Sequence, residues 1–263
     1  MSDLLFIIFL ISLIAFILYL FHNLMKSNPY TKQIGPTCGF YCIAYVIQCL
    51  KNGNQKPSTI TLHKEVYNLI KEYGCETING RPITYVGEIF DIDTLSKIVK
   101  EIIPDGYSSR ILKFDQDTFY DSQECLYYIV PIQNTTPHFV VVENITEVKA
   151  DVWDPNSFCS HISYEPDKLI SKNNNILCLF DWKDYVSNHI SPSHKNFSKF
   201  LERFNISFDR LLTSLLFRDF VKFINSREAN CASANKEKIT YNADVNLNGY
   251  IIGISKIEPE VNY

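Results

Sequence analysis

The chain has 263 residues, 46% of them hydrophobic and 21% charged, and a net charge of −4. That balance builds and solubilises one core-forming domain with room for an appendage, and it excludes a disordered or low-complexity protein. Without a Lys/Arg cluster to offset the acidic balance, nucleic acid is disfavoured as a partner.

In chain order, Leu4 to Phe21 form an uncharged, apolar run. At about 1.5 Å of rise per residue it is just long enough to cross a bilayer core. Met1-Ser2-Asp3 supplies no basic n-region and no small-x-small cleavage site follows, so residues 1–26 are expected to be a transmembrane anchor rather than a signal peptide. Asp3 precedes the run while Lys26 and Lys32 follow it, which favours a single-pass protein with the remainder in the cytosol. Eight scattered cysteines, without the spacing of a disulfide scaffold, agree with that side of the membrane.

Residues 27–182 are expected to form an α+β domain, and 183–263 a mainly helical extension. Phe40, Ile43, Ala44, Ile47 and Leu50 recur at helix spacing and predict a helix over Cys38 to Lys51. Leu62, Val66, Leu69 and Ile70 mark a second helix stopping at Gly74, and Ile92, Leu95, Ile98, Val99 and Ile102 a third, ended by Pro104-Asp105-Gly106. The period then becomes strand-like over Arg110–Phe114, Leu126–Ile132, His138–Glu143, Val148–Trp153 and Ile176–Phe180. In the extension, residues 197–204 and 211–224 suggest two amphipathic helices, and Tyr250–Ile254 a strand.

Four residues in this order carry a chemical constellation. Cys38 follows the Gly35-Pro36 turn signal and opens the first helix, where free N–H groups and the helix dipole favour a thiolate. His138 heads a β-branched run and could act as the base, while Asp154, in the Trp153-Asp154-Pro155 step of a neighbouring strand, could hold its tautomer. Gln33, just upstream of the cysteine, could donate to an oxyanion. Cys38 and Cys42 lie four apart on one helix face, but no further Cys or His pair has zinc-ligand spacing, so neither metal nor cofactor is expected. Cys42 reads as core, and Glu88 as a buried carboxylate or a substrate contact.

Gln33, Gly35-Pro36, Cys38-Gly39, the strand headed by His138 and the Asp154-Pro155 step resemble papain-like cysteine peptidases of the bacteriocin-processing (double-glycine) type. The Gln-x-Gly-Pro-x-Cys-Gly motif at Gln33–Gly39 and the segment Thr84 to Phe90, followed by Leu95 to Ile102, are most similar to the actin maturation protease family. Tyr164 to Leu177 is similar to that family's closing segment, whereas Asp154-Pro155 follows the wider peptidase pattern. The resemblance spans about residues 30 to 182. It implies a papain-like fold with a helical half and an antiparallel-sheet half, a thiol peptidase acting on a protein or peptide, and actin as substrate, losing its first residue. It also implies Cys38 as nucleophile, His138 as base and Gln33 as oxyanion donor. The same residues could run deamidation or acyl transfer, or leave a silent, membrane-anchored peptide-binding module.

Overall fold

A computed structural model of the protein describes residues 12–13, 16, 33, 37–73, 77–78, 81–82, 88–117, 125–134, 136–156, 162–177, 179–181 and 242–257. Within the expected anchor, Leu13 and Phe16 are helical and exposed. The rest of that run and the two helices expected at 197–204 and 211–224 lie outside the described residues. Among the described residues no helix is long and apolar enough to cross a membrane.

Helix α1 (Cys38–Lys51) is buried on nearly every side, so it runs through the interior instead of lying on the surface by one apolar stripe. It stops at Asn52, where Gly53 and Asn54 adopt left-handed backbone (φ 61° and 65°) and the Asn54 N–H donates to the Cys49 carbonyl at 2.7 Å. Helix α2 (Thr59–Tyr73) buries the stripe Leu62, His63, Val66, Leu69, Ile70 and Tyr73. Helix α3 (Ile92–Ile102) starts on Asp91, whose carboxylate accepts from the Thr94 N–H at 2.7 Å. A short hairpin, β1 (Thr77–Ile78) with β2 (Arg81–Pro82), lies between α2 and α3.

Six strands form one antiparallel sheet: β3 (Tyr107–Lys113), β4 (Cys125–Gln133), β5 (Pro137–Ile145), β6 (Ala150–Trp153), β7 (Ile162–Tyr164) and β10 (Tyr250–Lys256), in the order β3-β10-β4-β5-β6-β7. Alternation along β4 sends Tyr127 and Ile129 to the face under α1–α3, and Tyr128, Val130 and Ile132 to the other face. Helix α4 (Pro166–Asn174) covers that second face with Leu169 and Ile170. A separate pair, β8 (Leu179–Asp181) and β9 (Asn242–Asp244), completes the described elements. The α+β class and the antiparallel sheet are as expected. The helices and the sheet share one core instead of forming separate halves, because α1 and α3 pack directly on the sheet and α2 packs on α1.

Several details differ from the sequence expectation. The strand expected from Val148 begins at Ala150, because Thr146 to Lys149 close a turn and leave Val148 79% exposed. The strand expected from Ile176 begins at Leu179, since Ile176 packs into the core just past α4. Strand β7 and helix α4 had no expectation at all. Tyr250–Ile254 does form a strand, and β10 fills an interior position of the sheet beside residues of the 27–182 segment. Asn173 ties it in: its Nδ2 donates to the Pro131 and Tyr250 carbonyls at 2.8 and 3.2 Å, and its Oδ1 accepts from the Gly249 N–H at 2.8 Å.

Candidate active site

Cys38 is the first residue of α1, preceded by a fully buried Thr37 whose side chain makes no cap hydrogen bond. The first turn contains no acidic side chain. No carboxylate of that turn therefore competes for the N–H groups at the helix start. Gly39 lets this end of the helix come down on the sheet. A Cβ there would stand 3.2 Å from Ile89 Cδ1 and 3.4 Å from Phe139 Cδ2, and Phe139 is the neighbour of His138 in β5.

His138 and Asp154 stand on adjacent antiparallel strands, where β5 begins and just past the end of β6. His138 Nε2 lies 2.7 Å from Asp154 Oδ1, and both side chains are buried. An ionised carboxylate only accepts, so Nε2 carries the proton it donates. That leaves Nδ1 as the ring nitrogen not taken by Asp154, and the Cys38 charge acts on the same ring. Asp154 Oδ1 also accepts from the Asn156 N–H at 2.7 Å, which fixes the carboxylate at the turn after β6. The Gln33 N–H donates to the Pro155 carbonyl at 2.7 Å, so the segment before α1 is pinned to the same turn. The structure therefore brings Cys38, His138 and Asp154 together and holds Gln33 against the Asp154-Pro155 step.

The electrostatics follow from these partners. Burial opposes charging His138, yet the charge and hydrogen bond of Cys38 and those of Asp154 outweigh it, and the imidazole is pushed up to about 10. Burial also raises Asp154, but the hydrogen bond and charge of His138, the Asn156 N–H and Lys172 win and hold its carboxyl below the usual range. Cys42, one turn beyond Cys38, is fully buried, and desolvation together with the nearby Cys38 and Asp154 charges pushes its thiol well up. It is an inert core residue, as its spacing suggested.

Glu88 is 7% exposed and precedes Ile89, the side chain that meets Gly39; Thr84 to Gly87 lie outside the described residues. His63 is buried in α2 with Nδ1 2.5 Å from Tyr41 Oη, well inside the core and not at the surface. His161, His189 and His194 lie outside the described residues. Among the described residues no three His, Cys, Asp or Glu side chains converge as a metal site.

Sequence reasoning missed Tyr45, Trp153 and Glu143. Tyr45 stacks on Trp153 with ring centroids 4.1 Å apart and planes 14° from parallel. Its hydroxyl donates to Glu143, which is ion-paired with Lys56 at 3.4 Å. The available signal was spacing: Tyr45 lies two turns beyond Cys38 on the same helix face.

No protein-family model and no curated protein matches the chain. Among solved structures it is similar to the peptidase domain of Streptococcus ComA, a bi-functional ABC transporter involved in a quorum-sensing pathway. The match has a TM-score of 0.37 and 16% identity, over 54% of this chain and 89% of that one. The chemistry of the chain is read from its own side chains.

Proposed function

We propose that the protein is a papain-like cysteine peptidase. The observation that carries this reading is the buried His138 Nε2–Asp154 Oδ1 pair at 2.7 Å, with Cys38 at the start of α1 near enough for its charge to act on the imidazole. The Cys38 sulfur attacks the carbonyl carbon of a peptide bond, forming a C–S bond while the carbonyl oxygen takes up negative charge. Gln33 and the N–H groups at the start of α1 supply donors for that oxyanion. Collapse of the intermediate breaks the C–N bond, and His138 Nδ1–H gives its proton to the leaving amine. Water then attacks the thioester, passing a proton to His138 as its oxygen bonds the acyl carbon. The C–S bond breaks and the sulfur regains its negative charge. Asp154 keeps Nε2 protonated throughout, so Nδ1 is always the nitrogen that exchanges protons.

The finer reading concerns the substrate. The resemblance of Gln33–Gly39 and Thr84–Phe90 to actin maturation proteases supports removal of the first residue of actin, and the uncharged run Leu4–Phe21 supports a membrane-tethered enzyme facing the cytosol. The test begins with the thiol. The purified full chain is treated with a limiting thiol-reactive probe near pH 6, and the modified cysteine is mapped. Selective labelling of Cys38, lost in His138→Ala, is the expected result. Slow labelling spread over several cysteines would show an ordinary thiol and end the peptidase reading. With the first result in hand, N-terminal actin peptides are incubated with wild type and Cys38→Ala. Mass spectrometry should show loss of one residue with wild type only, whereas an unchanged peptide would remove actin from the proposal and leave the thiol chemistry standing.

A further inference from the structure

Cys38 belongs to α1, while His138 and Asp154 belong to the sheet, so the sulfur-to-ring distance depends on how α1 is seated along β5 and β6. Gly39 controls the approach at one end of the helix, as described above. Six residues later, Tyr45 lies flat on Trp153, the residue joined by a peptide bond to Asp154. Both rings are essentially buried, at 0% and 1% exposure. A slide or rotation of α1 by even part of a residue would pull these faces apart.

The outer edge of the Tyr45 ring is fixed as well. Its hydroxyl donates to Glu143, and Glu143 is the point at which a β-bulge interrupts β5. The pairing of β5 with β6 runs Val141↔Trp153 and Val142↔Val152 and then resumes at Asn144↔Asp151, so Glu143 is the extra residue. Phe139 and Val141 face α1, and Glu143 continues that side to meet Tyr45. Beyond the bulge the parity changes, and Ile145 packs on the opposite face. Alternation thus aims the carboxylate at the helix, and the inserted residue turns Ile145 to the opposite face of the sheet. Lys56, just past α1, closes the outer end at 3.4 Å from Glu143.

We propose that Tyr45 and Trp153 are positioning residues: their stack, fixed at its outer edge by Glu143, sets the seat of α1 against β6 and thereby the geometry between Cys38 and the His138–Asp154 pair. The inference rests on the cysteine-peptidase reading. The aromatic pair touches no reacting atom, and its effect passes through the peptide bond from Trp153 to Asp154 and along α1 to Cys38.

The experiment measures the rate of alkylation of Cys38 by iodoacetamide across pH, in the full chain, for wild type, His138→Ala, Tyr45→Phe and Tyr45→Leu. Tyr45→Leu loses the stack, and its rate near pH 6 should fall about tenfold while its rate near pH 10, where even an ordinary exposed thiol is ionised, stays within about twofold of wild type. Tyr45→Phe keeps the stack and loses only the hydroxyl, so its rate near pH 6 should fall by about two- to threefold. A mere loss of packing would lower the melting temperature without bending the pH profile. If both variants superpose on wild type over the whole range, the inference is overturned while the thiol assignment stands. Should Tyr45→Leu fail to fold, Tyr45→Phe decides alone, a wild-type profile overturning the inference. If wild type itself shows no His138-dependent reactivity near pH 6, the peptidase reading falls and the inference falls with it.

Discussion

His63 and His138 are both buried, and α1 contributes a neighbour to each, the Tyr41 hydroxyl bonded to the first and Cys38 acting on the second. Their surroundings drive them in opposite directions. Around His63 the partner is a neutral phenol, so desolvation acts alone and lowers the ring to about 3. Around His138 the partners are a sulfur and a carboxylate that favour the imidazolium, and the ring rises to about 10 in spite of burial. Burial therefore does not decide whether a histidine is charged; it amplifies whatever its neighbours carry.

The contrast breaks most severely at Asp154. Asp154→Ala removes the acceptor at Nε2 and frees the ring, and kcat/KM, or labelling of Cys38 near pH 6, should fall about a hundredfold. Asp154→Asn keeps an acceptor oxygen but not the charge. It should retain much more activity, with the alkaline limb of the pH profile shifted down from the region near 10. Equal losses in the two variants would show that charge, not orientation, is the carboxylate's contribution.

Stability against pH sharpens the contrast from the other side. His63 is depressed from 6.5 to about 3, so the unfolded chain takes up its proton first on acidification. Its contribution is complete above about pH 6.5 and is lost as pH falls toward 3. His138, raised to about 10, contributes fully below about 6.5 and progressively less as pH climbs to 10. Replacing His63 with Gln should therefore reduce the slope of unfolding free energy between about pH 4 and 6 by about 1.4 kcal/mol per pH unit, measured by urea titration. The alkaline limb should not move. An unchanged acid slope would mean that His63 is solvated or paired with charge.

Gly39→Ala is expected to have the smallest effect and to touch only one of the two histidines. The new methyl group meets Ile89 and Phe139 at 3.2 and 3.4 Å, so the helix end or its neighbours must give by a few tenths of an ångström. A cost of about 1 kcal/mol in stability should accompany a threefold or so slower labelling of Cys38 near pH 6, with the acid slope from His63 intact.

Much of this site was legible in the sequence because its parts sit at element boundaries that leave local signals. Cys38 follows a Gly-Pro turn and opens an apolar helical run, His138 heads a β-branched run, and Asp154 precedes a proline. Helix α4 left almost no signal, since its buried face is Pro166, Leu169, Ile170 and Asn173, and the polar Asn173 hides the period. The Glu143 bulge was invisible for a related reason: one extra residue does not disturb a local apolar run, and only the pairing partner reveals the shift. Tyr45 looked like any core aromatic, because what distinguishes it is a ring more than a hundred positions away. The neighbours of β10 belong to the same class of information, long-range pairing that local periodicity does not encode.

That interior strand bears on biosynthesis. Cys38, His138 and Asp154 have all been translated well before residues 250–256, yet β3 and β4 meet only through β10. Until β10 is made, β3 and β4 lack the strand that lies between them, and the floor under α3, which packs on β3 and β10, is incomplete. Closure waits for a segment more than a hundred residues beyond β4, a slow, non-local step that completes the shared core late. A nascent fragment carrying Cys38, His138 and Asp154 would thus leave the ribosome before the strand that joins the two parts of their sheet.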